Sequence, residues 1–141
     1  MKIAEYESLS EQQLESLISS GDLYAELKLA YDRYEDLCKE TYDPKAAVQI
    51  YTKLAAAGLL TAYYYIAICY REGYINGQTE PIKALAYFYF VKQNLGKSDI
   101  AADMELDDPA GSWDGWVDIT EYESELNDQQ INEAKAFCGT I

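Results

Sequence analysis

Trp113 and Trp116 stand three residues apart, close along the chain to Asp107, Asp108, Asp114 and Asp118. Two large aromatic anchors ringed by carboxylates offer apolar contact area inside a field that draws in a basic surface. A second aromatic set lies upstream. Tyr63, Tyr64 and Arg71 fall off the helical stripe made by Ala62, Ile66 and Tyr70, and Tyr74 follows in the next loop. Tyrosine and arginine recur at protein interfaces because each joins apolar area to a hydrogen-bonding tip. Both sets also have a plainer reading: the tyrosines pack on neighbouring helices, the tryptophans plug the open end of the fold, and the acids are solvated. These residues are the candidate partner-binding positions.

Catalytic chemistry is poorly supplied. The chain has no histidine, which excludes histidine-based triads, the common zinc sites and imidazole acid–base catalysis. It has no G-x-S-x-G, no Walker loop and no dinucleotide fingerprint. Asp107-Asp108 and Asp114-x-x-x-Asp118 invite a calcium reading, but the twelve-residue loop with its central glycine and final glutamate is missing. Paired carboxylates for glycoside chemistry usually sit in larger clefts than a chain of this size builds. Cys38, Cys69 and Cys138 are odd in number and far apart, as expected of reduced, mostly buried thiols in a cytosolic protein. The expectation is no enzyme, no metal and no cofactor.

Charge narrows the partners. The formal net charge is -14, and between Ser98 and Ala134 twelve acids occur without one lysine or arginine. The rest of the chain is nearly balanced, with thirteen acids against eleven bases. Such a field repels phosphate backbones and anionic lipid, and it attracts basic protein. The first residues contain no apolar signal core, and no apolar run is long enough to span a bilayer, so a cytoplasmic location is expected.

The elements that must carry these side chains are helices. Apolar residues make up 49% of a 141-residue chain with three prolines, which is ample core material for one helical domain. Gly21, Gly58 and Gly96 recur at a spacing of 37 and then 38 residues; Lys45-Ala46 and Lys83-Ala84, and Tyr51 and Tyr89, share the 38-residue period. Ser10-x-x-Gln13 reads as a capping box, Asp43-Pro44 as an N-cap followed by proline at the first helical position, and Asn127 as the start of a last helix. The spacing predicts an N-terminal helix over 9–20, helix pairs over 22–57 and 60–95, an acidic irregular insertion over 98–126 and a capping helix over 128–138. In the first pair, Leu23, Leu27, Ala30, Tyr31, Tyr34 and Cys38 form the expected apolar stripe of one helix. The helix from Pro81 is apolar nearly all round and is expected at the centre.

These landmarks resemble the Sel-one-like repeat, a relative of the tetratricopeptide repeat. Ala62, Ile66-Ala67, Tyr70, Gly73, Gly77, Lys83-Ala84, Phe88-Tyr89 and Gly96 follow the order of the family pattern, with Gly77 two residues late. Ala25, Leu29-Ala30, Lys45-Ala46, Ile50-Tyr51 and Gly58 repeat it less completely. The resemblance implies an all-α fold, a short right-handed α/α solenoid of about two helix pairs with irregular capping helices at both ends. It also implies a concave groove for a protein partner. Bacterial proteins resembling this family include immunity proteins, so the leading expectation is an antitoxin that neutralises a basic toxin such as a nuclease. The alternative is a cytosolic adaptor or regulatory scaffold.

Overall fold

The computed structural model describes residues 2–107 and 118–141, and every regular element among them is helical. In chain order these are α1 (Ile3–Tyr6), α2 (Glu11–Ser19), α3 (Leu23–Tyr34), α4 (Pro44–Ala56), α5 (Leu60–Glu72), α6 (Pro81–Asn94), α7 (Ala101–Met104), α8 (Ile119–Ser124) and α9 (Asp128–Cys138). A 3-10 turn over Glu105–Asp107 extends α7. No helix among the described residues is long and apolar enough to cross a membrane.

Local chemistry accounts for most helix ends. Ser10 Oγ accepts from the Gln13 amide while Gln13 Oε1 accepts from the Ser10 amide, so two first-turn donors of α2 are satisfied reciprocally. Asn127 and Gln130 do the same for α9. Asp22 caps α3 and Asp43 caps α4, where Pro44 fills the first helical position. Gly58 follows α4 at φ 104°, and Gly73 ends α5 at φ 80°. Both are left-handed conformations that a Cβ disfavours. At Gly73 an added Cβ would also lie 3.1 Å from the carbonyl carbon of Gln78.

Helices α2 to α6 each pack on the next, and α8 and α9 pack on α6. The buried side chains form two clusters. One gathers Leu14, Leu27, Tyr51, Leu54, Ala62 and Cys69 from α2 to α5; the other gathers Tyr64, Leu85, Phe88, Val91, Ile119 and Ala134 from α5, α6, α8 and α9. Helix α5 belongs to both, giving Ala62 and Ile66 to the first and Leu60, Tyr64 and Ala67 to the second. The apolar circumference of α6 is explained by neighbours on several sides, yet α5 is the helix the two clusters share.

The described part of the acidic stretch is not a loose insertion. Unlike α3 and α4, α5 has no polar side chain at its start: its N-cap is Leu59. The missing acceptor comes from Asp103, 2% exposed, which takes the amides of Leu60 and Thr61 at 2.8 Å each and the Thr61 hydroxyl at 2.6 Å. Ser98 donates to the same carboxylate at 2.7 Å. A negative group at a helix N-terminus is further favoured by the helix dipole. Two residues on, buried Glu105 accepts from the Ile3 amide and ties α1 to the returning chain.

Three expectations need correction. The apolar stripe of α3 does not run to Cys38. The helix ends at Tyr34, where the Tyr34 carbonyl accepts from the Asp43 amide and Asp36 accepts from the Cys38 amide, so the side chain competes with the helix for its backbone donors. Cys38 is therefore exposed, while Cys69 and Cys138 are buried. Ser98, expected from sequence to cap a short helix through Leu106, instead lies two residues before the N-cap Ile100, donating to Asp103 and accepting from the Ile100 amide. Within 98–126 an additional helix, α8, forms where Asp118 accepts from the Glu121 amide.

Replacing Asp103 with Ala strands several buried donors, each worth about 1–3 kcal/mol, and should cost about 3–5 kcal/mol in urea unfolding. Asp103→Asn should recover only part of the loss. Gly58→Ala, with open space around it, should cost about 1 kcal/mol, and Gly73→Ala measurably more, because its Cβ also meets backbone.

Candidate partner-binding site

The last turn of α3 faces the second half of α5 across an open cleft of about 330 Å³ lined by Tyr31, Glu35, Tyr64, Tyr65, Ile68, Glu72 and Tyr74. Two helices separated by one in sequence thus supply opposite walls. Tyr65 forms the centre. Its ring meets Tyr31 edge-on at 5.9 Å between centroids and Tyr51 at 5.3 Å. Tyr24, in the same buried cluster that Tyr65 packs against, stacks edge-on against Tyr6 at 4.6 Å, so the tyrosine array runs from the chain's start to the cleft. Such edge-on arrangements suit the ring quadrupoles and hold the rings in place.

Glu35 closes α3 and lines the cleft. It accepts a hydrogen bond from the Tyr51 hydroxyl. Burial pushes its carboxyl above the usual range, and the Tyr51 hydrogen bond opposes that shift. The neighbouring Tyr51 and Tyr65 phenols are raised far above theirs, chiefly by burial, so they remain neutral. Glu35 forms no ion pair among the described residues. The cations near the cleft pair with other carboxylates: Lys28, whose ammonium lies 5.9 Å from the Tyr31 ring centroid, with Asp32 at 2.8 Å and Glu7 at 3.3 Å, and Arg71 with the cleft residue Glu72 at 3.1 Å. A carboxylate desolvated in this way weakens the folded state unless something cationic joins it. Burial also pushes the Cys69 thiol well up, with Glu35 and Glu72 adding to the effect, so it stays protonated at neutral pH.

The sequence-derived candidates are scattered. Tyr64 cannot serve as an exposed anchor: it is 1% exposed and packs on Phe88 at 5.7 Å, contributing only to the floor of the cleft. The single packing stripe expected on this helix is replaced by two, since α5 is covered on both sides. Tyr63 is half-buried against Phe90 at 4.5 Å. Tyr74 lines the cleft, and Arg71 shares a separate hollow with Asp118, Glu121, Tyr122 and Glu125. Asp118 is exposed and caps α8, while Asp107 is the last residue of the 3-10 turn. Asp108, Trp113, Asp114 and Trp116 lie outside the described residues, and the calcium alternative turns largely on the same stretch.

Tyr31, Glu35, Tyr65, Ile68 and Glu72 are the cleft residues that sequence reasoning passed over. A signal existed. Glu35 and Glu72, like Tyr31 and Ile68, are 37 residues apart, the spacing of Gly21 and Gly58. They occupy equivalent places on successive repeating helices, and both carboxylates line one cleft.

No family model matches the chain, and neither a curated protein nor a solved structure is significantly similar to it. Fold and site therefore define an all-helical protein with a tyrosine-walled, carboxylate-bearing cleft.

The raised carboxyl of Glu35 carries a stability consequence with a definite sign. Ionising it costs the folded chain more than the unfolded one, so its penalty is absent below the unfolded value of about 4.3 and complete above the folded value. Glu35→Gln keeps an acceptor for Tyr51 without the charge. Its thermal midpoint should exceed that of the unaltered chain at pH 7, and the gap should close by about pH 4.

Proposed function

We propose that this chain is a non-catalytic protein-binding module, a short α/α solenoid whose inner face grips a partner with a basic surface. The leading assignment is an immunity protein that neutralises a toxin in the cytoplasm. The observation that carries the binding reading is the cleft itself: a carboxylate, Glu35, with no ion pair among the described residues, set among tyrosines on an open surface. Support for the solenoid comes from helices packing in chain order and from α3 and α5 walling one cleft with residues at the repeat spacing. Tyrosines give large, rigid contact area at little entropic cost, and the net charge of -14 favours fast encounter with a basic partner.

The antitoxin assignment rests on the small acidic chain and the family resemblance. A nuclease fits well, since its basic substrate channel would meet carboxylates where nucleic acid otherwise lies.

Coexpression with the products of adjacent open reading frames tests this directly. A toxic neighbour should become harmless and co-purify with the chain. Tyr31→Ala combined with Glu72→Lys alters two cleft residues and should weaken that complex at least about tenfold. Full protection by the double variant would remove the cleft from the interface. Absence of any toxic neighbour that the chain neutralises would remove the antitoxin assignment and favour an adaptor with several weaker partners.

A further inference from the structure

The geometry points to a more specific occupant: the cleft between α3 and α5 receives an arginine side chain of the partner protein, with Glu35 as counter-ion and tyrosine rings as its walls. This deepens the protein-binding reading and rests on it.

Charge comes first. Glu35 and Glu72 both line the cleft, while the only cation pairing with either among the described residues is Arg71 with Glu72. Among the described residues Glu35 accepts one hydrogen bond, from Tyr51, and an ionised carboxylate can accept several. The remaining acceptor capacity belongs to a group that brings its own donors and positive charge into a desolvated place.

The walls select the kind of cation. Tyr31 is 45% exposed, with the Lys28 ammonium 5.9 Å from its ring centroid, and Tyr65 lies edge-on behind it, braced by Tyr51. Aromatic faces attract cations. A guanidinium is flat enough to lie along a ring, is less strongly hydrated than an ammonium, and can offer paired donors to a carboxylate. Entering a half-buried cleft therefore costs arginine less than lysine. Ile68 lines the same hollow and suits the aliphatic stem of the incoming side chain.

Burial is also uneven along α3 and α5. The returning segment carries Asp103 onto the first turn of α5, and Glu105 lies close enough to affect Tyr24 in the first turn of α3. The far ends of both helices keep the open cleft. One half of this face is filled by the chain itself, and the other is left for a ligand of side-chain dimensions.

Three blocked tripeptides discriminate the possibilities: glycine–arginine–glycine, the lysine counterpart, and the citrulline counterpart, which keeps the shape of arginine without its charge. Binding is followed on the intact chain through the ring resonances of Tyr31 and Tyr65. The arginine peptide should saturate with a dissociation constant on the order of 1 mM, as befits one anchoring side chain. Lysine should bind several-fold more weakly and citrulline not at all. Glu35→Gln should weaken the arginine peptide about tenfold, whereas Glu133→Gln, at an exposed position of α9, should leave it unchanged.

No saturable shift with the arginine peptide, equal binding of citrulline, lysine binding as tight as arginine, or indifference to Glu35→Gln would each overturn the assignment. None of these outcomes bears on co-purification of a partner or its loss in the Tyr31/Glu72 double variant. The arginine assignment can therefore fail while the protein-binding reading stands, and the reverse pattern is equally visible.

Discussion

The first turn of α5 governs how this chain is put together. A helix entering the core at Leu60 and Thr61 brings amides that need acceptors, and Leu59 offers none from its side chain. Asp103 resolves this by lending one carboxylate to two amides and a hydroxyl, with Ser98 holding it in place. Because α5 takes part in both buried clusters, whatever orders its start orders the meeting of the two.

The same contact shapes the functional surface. Once Asp103 is anchored on α5, the following Glu105 meets the Ile3 amide, and α1 is drawn onto the fold. Tyr6 then packs on Tyr24, which belongs to the same buried cluster that Tyr65 packs against, and Tyr65 braces Tyr31. Acidic residues that read in sequence as part of one steering field thus divide into different roles. Asp103 and Glu105 are structural, Asp118 caps a helix, Glu123 accepts from the Tyr89 hydroxyl, and others remain exposed.

Legibility in the sequence followed the range of the interaction. Ser10 with Gln13, Asp43 with Pro44, and Asn127 with Gln130 act across a few residues, so their helix starts could be read directly. The bounds of α5 followed from Gly58 and Gly73. Asp103, by contrast, serves amides more than forty residues earlier, and no local pattern distinguishes it from a solvated acid. Tyr64 was misread because helical periodicity identifies one buried face, whereas α5 has two. Glu35 gives no sign in sequence because its significance lies in its surroundings, and only folded geometry shows that no cation among the described residues pairs with it. Glu35 and Glu72 share the repeat spacing, but in a chain with twenty-five acids one such pair does not stand out without the cleft that joins them.

The clasp between Ile3 and Glu105 joins residues 102 positions apart. Closing so long a segment costs entropy that grows only slowly with length, but it cannot be recovered before residue 105 exists. On a ribosome, helices α2 to α5 can therefore gather while α5 still lacks its downstream acceptor. The tyrosine array is then braced at its α1 end only once Glu105 has been made, so the finished shape of the cleft waits on residues far downstream of Ile3.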